Sequence, residues 1–472
     1  MRHAIIPSVV VAGFFAACSS EQTPTNGESS SSDGGASSDS GDGGGKVYPA
    51  AKGDPCRGVE LPTNDSYVPP GMCARLVATN MAGIRQIAFA PNGDLWGVAT
   101  SGNIFRMHDG DDDGFYQVTE ITKYANTGGN GNNVHLDIAG GYIYAGSPDG
   151  VVRFKYSETD ATGGTPEDVV TNQPTGGHST HTVHVYDGYL YVHSGSAGNA
   201  TLTGKDTPYD TARSLIKRFP LASFNPSAPW DWASAGEIVT GGLRNSNGFT
   251  RNAAGKMFAV VNGLDDQNYK GADVHNDNPG EQVVEIAMGK NYGYPFCFTA
   301  QRVVSANQVI SPGTQLANEN SPNAKDDNWC ATNSSQPATF VQAHSAPLDI
   351  TFFDDHPTGG LPEKYRGGAF VALHGSWNRN PATGYKVVWI PFDASGKAPM
   401  PTSTMTETTF PYETVFGGGD TNGPKDGPWA WNADPYADGE VRPAGVAVGP
   451  IDGALYVAAD QGGKIYRVGV KK

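Results

Sequence analysis

The chain has 472 residues, of which 62 are glycine, 33 are proline and 38% are hydrophobic. So much glycine and proline excludes a mainly helical protein, whereas the recurring short runs of Tyr, Phe, Trp, Val and Thr are typical of β-strands separated by turns. With 32 basic and 48 acidic residues the net charge is −16, so the surface repels phosphate backbones and no nucleic-acid partner is expected.

Residues 1–18 have the pattern of an export signal. A positive start at Arg2 is followed by an apolar run over 4–15 that is too short to span a membrane permanently. The run Phe15-Ala16-Ala17-Cys18 resembles a bacterial lipoprotein signal, which implies that Cys18 becomes the lipidated N-terminus. An ordinary cleaved signal is the alternative. We therefore expect an exported protein held to a bacterial membrane by a lipid anchor only, facing the periplasm or the cell surface.

Residues 19–46 are nearly all Ser, Gly, Asp and Thr. This segment has no large apolar side chains whose burial would offset the entropy of ordering it, so it predicts a disordered tether between the anchor and a folded domain. The remaining residues, 47–472, are expected to form that single domain.

Four cysteines remain once Cys18 is assigned to the lipid, and an even number in an exported chain suggests two disulfides. Three pairings are possible. Closing the shorter loops favours Cys56 with Cys73 and Cys297 with Cys330. The sequence contains no Cys-x-x-Cys motif, so neither a zinc ribbon nor a covalently attached haem is encoded.

An acidic segment at 109–120 has the spacing of a calcium-binding loop. Oxygen-bearing side chains stand at positions 1, 3, 5 and 12, and a glycine stands at position 6. The candidate ligands are Asp109, Asp111, Asp113 and Glu120. The flanking segments 104–107 and 116–119 read as strands instead of helices, so the ion would have a structural role in a loop. A solvated acidic turn is the alternative.

An apolar alternation, a glycine-containing turn and a second β-branched or aromatic strand recur six times along the chain. The repeats begin near Ile84, His135, Thr182, Asn247, Pro347 and Pro443. Such hairpins have two apolar faces and need neighbours to bury them, which radial packing provides. The sequence predicts an all-β fold, a six-bladed β-propeller of four-stranded antiparallel blades, with a β-sandwich as the less favoured alternative. The loops at one end of such a channel converge, which is where a site would form.

Several short segments resemble the glucose/sorbosone dehydrogenase family, whose members are soluble quinoprotein sugar dehydrogenases that use pyrroloquinoline quinone (PQQ). They are Gly-Gly-His at 176–178, Gly-Leu-Arg-Asn at 242–245, Asn-Tyr-Gly-Tyr-Pro at 291–295, His-Gly-Ser-Trp-Asn-Arg at 374–379 and Arg-Pro at 442–443. The resemblance implies a quinone lying across the channel, held by a calcium ion and by basic side chains that meet its carboxylates.

The resemblance also implies roles for individual residues. His178 matches the catalytic histidine, the base that takes the proton of the sugar hydroxyl. The other implied residues are Arg244, Asn245, Arg379 and Arg442 for the cofactor, Asn262, Gly263 and Leu264 in the stretch whose carbonyls hold its calcium, and Glu281 at a nearby acidic position. Tyr292, Tyr294 and Trp377 are candidates for stacking on a sugar, or else fill the core.

The chain departs from the family pattern in three places. His181 stands where the family commonly has an arginine, and the usual Asp-Glu pair reads Glu281-Gln282. An insertion over 265–279 separates that pair from the Asn-Gly turn. Losing one cationic partner would weaken quinone binding.

The expected function is therefore PQQ- and calcium-dependent oxidation of the C1 hydroxyl of an aldose or related sugar. Electrons would pass to a separate acceptor, since the chain has no haem motif. Two alternatives remain open. One is a calcium-dependent lactone hydrolase with Asn245, Asn262 and Glu281 as ligands. The other is a non-catalytic binding propeller.

Overall fold

A computed structural model describes most of the chain beyond residue 47. The described residues are 48–61, 66–129, 131, 134–200, 213–305, 308–401, 410–420, 423–425 and 441–472. The export signal with Cys18 and the tether over 19–46 lie outside them, and both stay predictions. None of the helices in the described part is long and apolar enough to cross a membrane.

Six sheets within the described residues form the blades of a propeller, which confirms the predicted fold class. The four main strands of each blade are antiparallel, and the short extensions of blades 2 and 3 pair in parallel. In each of blades 1 to 3 the innermost strand comes first in the chain. Blade 1 consists of Ile84–Phe89, Leu95–Ala99, Asn103–Met107 and Ile121–Asn126. Blade 2 consists of Leu136–Ala139, Tyr142–Ser147, Gly150–Lys155 and Glu167–Thr171, extended by Trp230–Asp231. Blade 3 consists of Val183–Tyr186, Tyr189–Ser194, Leu215–Pro220 and Glu237–Gly241, extended by Lys290–Asn291.

Blades 4 to 6 complete the ring. Blade 4 consists of Asn245–Arg251, Met257–Asn262, Glu281–Ile286 and Thr339–Val341. Blade 5 consists of Pro347–Phe352, Ala369–Leu373, Lys386–Ile390 and Glu413–Gly417. Blade 6 consists of Pro443–Val448, Leu455–Ala459, Lys464–Val470 and Met72–Ala78, extended by Val59–Glu60. All six innermost strands begin within two residues of a predicted repeat start.

The remaining elements of the described residues are short and lie between the blade strands. The two-stranded hairpins comprise Asn268–Tyr269 with Ala272–Asp273, Cys297–Thr299 with Gln315–Ala317, Val303–Ser305 with Gln308–Ile310, and Gly419–Asp420 with Gly423–Pro424. The helical segments are the α-helix Asp327–Asn333 and the 3-10 turns Val118–Glu120, Leu221–Ser223, His275–Asp277 and Glu363–Tyr365. Helix is scarce, as the composition predicts.

The prediction of a strand over 116–119 is wrong. Val118–Glu120 forms a 3-10 turn and the strand starts only at Ile121. The Glu120 carboxylate accepts a hydrogen bond from the backbone N–H of Gln117 at 2.8 Å, which caps the turn and delays the strand.

The hydrophobic core is divided into layers that lie between neighbouring blades. Phe89 of blade 1 packs edge to face on Tyr456 of blade 6, with ring centroids 4.8 Å apart. Phe258 of blade 4 meets Phe352 of blade 5 at 5.6 Å. Since each blade buries both faces against its neighbours, no blade is stable alone, which is the physical reason for the sixfold repeat.

Blade 6 closes the ring with strands from both ends of the described chain. Met72–Ala78 pairs with Lys464–Val470 in antiparallel register. The disulfide Cys56–Cys73 fastens the segment leading into this strand, and Cys297–Cys330 fastens the long segment between the third and fourth strands of blade 4. Both predicted pairings are confirmed.

Polar side chains connect the innermost strands from one blade to the next. The Asp137 carboxylate accepts from the backbone N–H of Val185 at 2.7 Å, linking blades 2 and 3. Asp349 accepts in the same way from Val446 at 2.9 Å, linking blades 5 and 6. These bonds fix the innermost strands relative to one another, so the loops at their ends are held in place as well.

Candidate functional site

The predicted catalytic histidine lies in a tightly constrained loop. Gly176 and Gly177 precede it with φ angles of +76° and +61°, a conformation that favours glycine. A Cβ on Gly177 would lie 2.4 Å from the carbonyl oxygen of Ala197, so the loop also needs glycine for space. His178 itself is fully buried, and its backbone N–H donates to the carbonyl of Ser196 at 2.8 Å.

One nitrogen of the His178 imidazole is hydrogen-bonded, and the other is buried without a hydrogen-bond partner among the described residues. Nδ1 lies 2.6 Å from Oγ of Ser196, while Nε2 has no hydrogen-bond partner among the described residues. Burial, followed by the positive charges of Arg244 and Arg213 and by His193, lowers the pKa of His178 well below 6.5. The ring is therefore neutral at neutral pH and has a lone pair with which to accept a proton.

Arg244 lies beside this histidine. Its carbonyl oxygen accepts a hydrogen bond from the backbone N–H of Ser196 at 2.8 Å, so Ser196 contacts both residues. Its guanidinium, 2% exposed, pairs with Asp265 at 2.7 Å and donates to the Asn199 side chain at 3.1 Å. The loops that carry His178 and Arg244 thus meet at one end of the channel, as the sequence predicts.

The loop 374–379 joins the same network from blade 5. Asn378 Nδ2 donates to the second oxygen of Asp265 at 3.2 Å. Arg442 donates to the carbonyls of His374 and Gly375, at 3.1 and 2.9 Å. Two of the resembling segments, at 374–379 and 442–443, are therefore in direct contact.

Arg379, a predicted cofactor ligand, lies beside the insertion over 265–279. Its guanidinium donates to the carbonyl of Asn276 at 2.8 Å and to that of Pro381 at 2.6 Å, and it lies 3.7 Å from the Asp277 carboxylate. These contacts attach the loop to the insertion over 265–279. In the structure Arg379 holds a neighbouring loop, and its contacts do not include His178 or Arg244.

The three aromatic candidates have three different environments. Tyr294 donates its hydroxyl to the carbonyl of Gly198 at 2.8 Å, the same oxygen that receives the Ser196 hydroxyl. Tyr292 is buried in the core layer between blades 3 and 4. Trp377 is 49% exposed and precedes Asn378 in the chain. Tyr292 and Tyr294 both line a cavity beside Arg244, although Tyr292 also packs in the core, and Trp377 is accessible to a ligand.

A cavity with an empty volume of about 300 Å³ lies beside Arg244. Its lining includes Arg244, Asn262, Gly263, Leu264, Tyr292 and Tyr294 together with residues of 279–282 and 297–299. His178 does not line this cavity but is connected to it through Ser196 and Arg244.

Glu281 contacts the segment 262–264, whose carbonyls are predicted to hold calcium. Its carboxylate accepts a hydrogen bond from the backbone N–H of Gly263. Burial raises the pKa of Glu281 to about 8. Asn262 donates its side-chain N–H to the carbonyls of Pro347 and Asn245, at 2.9 and 3.3 Å, which fixes the turn between blades 4 and 5. Backbone carbonyls beside a buried carboxylate are ligands that calcium accepts.

Two residues that depart from the family pattern, His181 and Gln282, carry no charge at neutral pH. Burial lowers the pKa of His181 to about 4, and its Nδ1 lies 2.7 Å from the carbonyl of Ser147. Gln282 donates to Thr299 at 2.7 Å. His181 therefore does not supply the positive charge of the arginine that it replaces.

The acidic loop at 109–120 brings its ligands together away from these residues. One carboxylate oxygen from each of Asp109, Asp111 and Glu120 lies within 4.8 Å of the others. Asp113 instead accepts a hydrogen bond from the Gln117 side chain at 3.0 Å. These three carboxylates are therefore close enough to bind one metal ion together.

Sequence reasoning missed three residues that hold the site together. Ser196 contacts His178 and Arg244, Asp265 joins Arg244 to Asn378, and Arg213 donates to the loop carbonyls of Gly176 and Gly195. A serine inside a Gly-Ser-Ala-Gly run carries no specific sequence signal. Asp265 lies in the insertion, where no family pattern applies.

Comparison with known proteins identifies the family. A family model described as TrAA12-like matches residues 66–471. The PQQ-dependent pyranose dehydrogenase of Coprinopsis cinerea is 26% identical over 87% of the chain and 55% of its own length, so the chain spans about half of that relative. The PQQ-dependent sugar dehydrogenase of Hypocrea jecorina (strain QM6a) is 29% identical over 71% of the chain and 76% of its own length.

A solved structure agrees with both. The calcium structure of the Trichoderma reesei carbohydrate-active enzyme of family AA12 has a TM-score of 0.73 and 26% identity, covering 88% of this chain and 99% of that one. Since the family model extends over all six blades and the loops that meet at the site, the chain belongs to the TrAA12-like family.

Proposed function

We propose that the chain is an oxidoreductase that uses PQQ and calcium to oxidise the C1 hydroxyl of an aldose or related sugar, passing the electrons to a separate acceptor. The main support is the meeting of four family segments in one hydrogen-bonded network that includes an open imidazole nitrogen. The names of the two relatives support the cofactor and the substrate class.

In this proposal His178 accepts the proton of the sugar hydroxyl. Its Nε2 carries the lone pair, and the depressed pKa of the ring keeps that lone pair available at neutral pH. When bound, PQQ supplies a two-electron acceptor for the hydride that leaves C1. Trp377, exposed at the edge of the site, would cover the apolar face of the sugar.

The residues present fit a tricarboxylate. Arg244 and Arg442 approach from different blades, and a guanidinium can pair with a carboxylate in a two-pronged geometry. Arg244 already pairs with the Asp265 carboxylate of the insertion. A carboxylate of the cofactor would therefore bind Arg244 alongside Asp265. Asn245 would contact the cofactor beside Arg244, and the carbonyls of Gly263 and Leu264 would hold its calcium.

We further propose a structural calcium ion in the loop 109–120. The loop already has the required fold, because the Asp109 carboxylate accepts from Gly114 N–H at 3.0 Å and Glu120 from Gly110 N–H at 2.6 Å. We also propose that the protein is exported and anchored by lipid at Cys18. These two proposals are independent of the redox chemistry.

The decisive test is reconstitution of the purified protein with PQQ and calcium. Wild type should reduce a dye when aldoses are added, and His178→Ala should bind PQQ normally in an absorbance titration while its turnover falls at least about a hundredfold. His356→Ala, which removes a half-buried histidine outside this network, is the control and should keep full turnover. Failure of wild type to bind PQQ would favour a non-catalytic binding propeller, and lactone hydrolysis without dye reduction would favour the hydrolase.

A further inference from the structure

A serine hydroxyl lies directly behind the candidate base. Oγ of Ser196 is 2.6 Å from Nδ1 of His178 and 2.8 Å from the carbonyl oxygen of Gly198. Both side chains are fully buried, so water does not compete for these bonds. The group that touches Nδ1 is therefore a neutral hydroxyl and not a charged side chain.

The direction of these bonds follows from counting protons. A serine hydroxyl has one hydrogen, and a carbonyl oxygen can only accept, so the hydrogen points to Gly198. At Nδ1 the serine oxygen is then the acceptor, which requires Nδ1 to carry the ring hydrogen. A neutral imidazole protonated at Nδ1 has its lone pair at Nε2, the nitrogen without a partner among the described residues.

We propose that Ser196 is a positioning residue that fixes His178 in the tautomer with its lone pair on Nε2, and that it does so without the charge of a carboxylate. The inference rests on the proposed role of His178 as the base. It adds which residue orients that base and how the base responds to pH.

The neutral partner has a consequence for the protonated ring. A carboxylate at Nδ1 would stabilise the imidazolium, whereas a hydroxyl oxygen offers only its dipole. The charged and titratable groups that act on the ring, Arg213, Arg244 and His193, all disfavour the imidazolium. The base should therefore stay unprotonated well below pH 6.5, and the acidic limb of kcat/KM should lie there.

The tautomer can be read in the protein without cofactor. Full-length protein labelled with ¹⁵N-histidine would be examined by long-range ¹H–¹⁵N NMR, with the His178 signals identified by their loss in His178→Gln. Wild type should show a protonated Nδ1 and an unprotonated Nε2. Ser196→Ala should lose this fixed pattern, whereas Ser194→Ala should keep it, because the Ser194 hydroxyl is equally buried but has no hydrogen-bond partner among the described residues.

Kinetics of the reconstituted enzyme provide the second measurement. Ser196→Ala should lower kcat at least about tenfold with KM for the sugar unchanged, since Ser196 acts only through the imidazole. Ser196→Asp should move both the NMR titration of His178 and the acidic limb upward by about 1–3 pH units.

Two results would overturn the inference. One is a wild-type ring protonated at Nε2, and the other is a tautomer and titration that stay the same in Ser196→Ala and Ser196→Asp. Absence of sugar oxidation in wild type would refute the proposed function instead, because the NMR result is obtained without PQQ.

Discussion

At the scale of single residues, space around the imidazole is as important as its partners. Gly195 packs against the back of the histidine loop, where a Cβ would lie 2.2 Å from the carbonyl oxygen and 3.0 Å from the Cβ of His178. Contacts under 3 Å to a backbone atom cannot be relieved by a side-chain rotation. The position of His178 therefore depends on a glycine that has no polar function.

Gly195→Ala should displace His178 and lower turnover by about a hundredfold, because a shift of roughly 1 Å in a reacting group is enough for such a loss. Dye-coupled activity and far-UV circular dichroism would separate this effect from unfolding. Gly110→Ala is the control, since its Cβ would meet nothing closer than 3.4 Å. Equal activity in the two variants would show that the loop adapts to the added methyl group.

At the scale of elements, the insertion over 265–279 is a part of the site and not a simple loop extension. Asp265 pairs with Arg244 and receives a hydrogen bond from Asn378, and Asn276 accepts from Arg379. The insertion thus attaches the loop 374–379 to blade 4. Through Asp265 the insertion also places a carboxylate on Arg244, the residue that is proposed to bind a carboxylate of the cofactor.

Asp265→Asn should destabilise the protein without cofactor by about 3–5 kcal/mol, because it removes the carboxylate that the nearly buried Arg244 guanidinium contacts at 2.7 Å. PQQ should restore more of the melting temperature in this variant than it adds to wild type, since a cofactor carboxylate would take the place of Asp265. Thermal melts with and without PQQ would measure both effects, with the exposed Asp266→Asn as control. An identical PQQ response in Asp265→Asn and wild type would argue against contact between Arg244 and the cofactor.

The acidic loop of blade 1 is a second element with its own prediction. Calcium should raise the stability of the PQQ-free protein by about 2.7 kcal/mol when its concentration is a hundred times Kd. Asp111→Asn should reduce this gain, whereas Asp160→Asn, at an exposed site elsewhere, should not. Calorimetric melts in calcium and in chelator would decide, and a gain that survives in Asp111→Asn would place the ion elsewhere.

At the scale of the whole molecule, buried histidines connect stability to pH. Among the described residues, burial lowers the pKa of seven of them: His135, His178, His181, His193, His344, His356 and His374. Their unfolded pKa is about 6.5, so below that pH the unfolded chain binds protons that the folded chain does not. Burial raises the pKa of Glu281 to about 8 and also raises the pKa values of Asp349 and Asp109, and these three acids have the opposite effect.

The melting temperature should therefore fall as pH decreases from 7 to about 4.5, since seven histidines outweigh three acids in this range. Differential scanning calorimetry at several pH values would measure the slope. His356→Gln should make the slope shallower by removing one of the seven groups. A melting temperature that is constant or rises towards pH 4.5 would contradict this balance of histidines and acids.

Prediction from sequence succeeded where the signal is repeated. Alternating apolar residues and glycine turns recur six times, and each innermost strand begins within two residues of its predicted start, as with Pro347 and Pro443. Both disulfide pairings were predicted correctly, because closing the shorter loops costs less conformational entropy. The strand predicted at 116–119 was wrong because one carboxylate, Glu120, caps a turn there.

The site was predictable only in part, and the reason is physical. Resemblance indicated His178 and Arg244, but their contact is made by Ser196, which is 18 residues from one and 48 from the other. Hydrogen bonds between residues so far apart depend on how blades 3 and 4 pack, and no local pattern records that packing. The contact of Arg379 with the carbonyl of Asn276 depends on the insertion in the same way, and no family pattern applies to that segment.

The shared blade 6 has a consequence for biosynthesis. Its fourth strand, Met72–Ala78, can pair with its neighbour only after Lys464–Val470 has been made. At translation rates of about 5–20 residues per second this separation corresponds to roughly 20–80 s, during which the nascent strand has an exposed edge. The ring can close only after Lys464–Val470 is available for pairing, so the risk of aggregation is highest before that moment. Factors that shield the early segment would therefore increase the yield of folded protein.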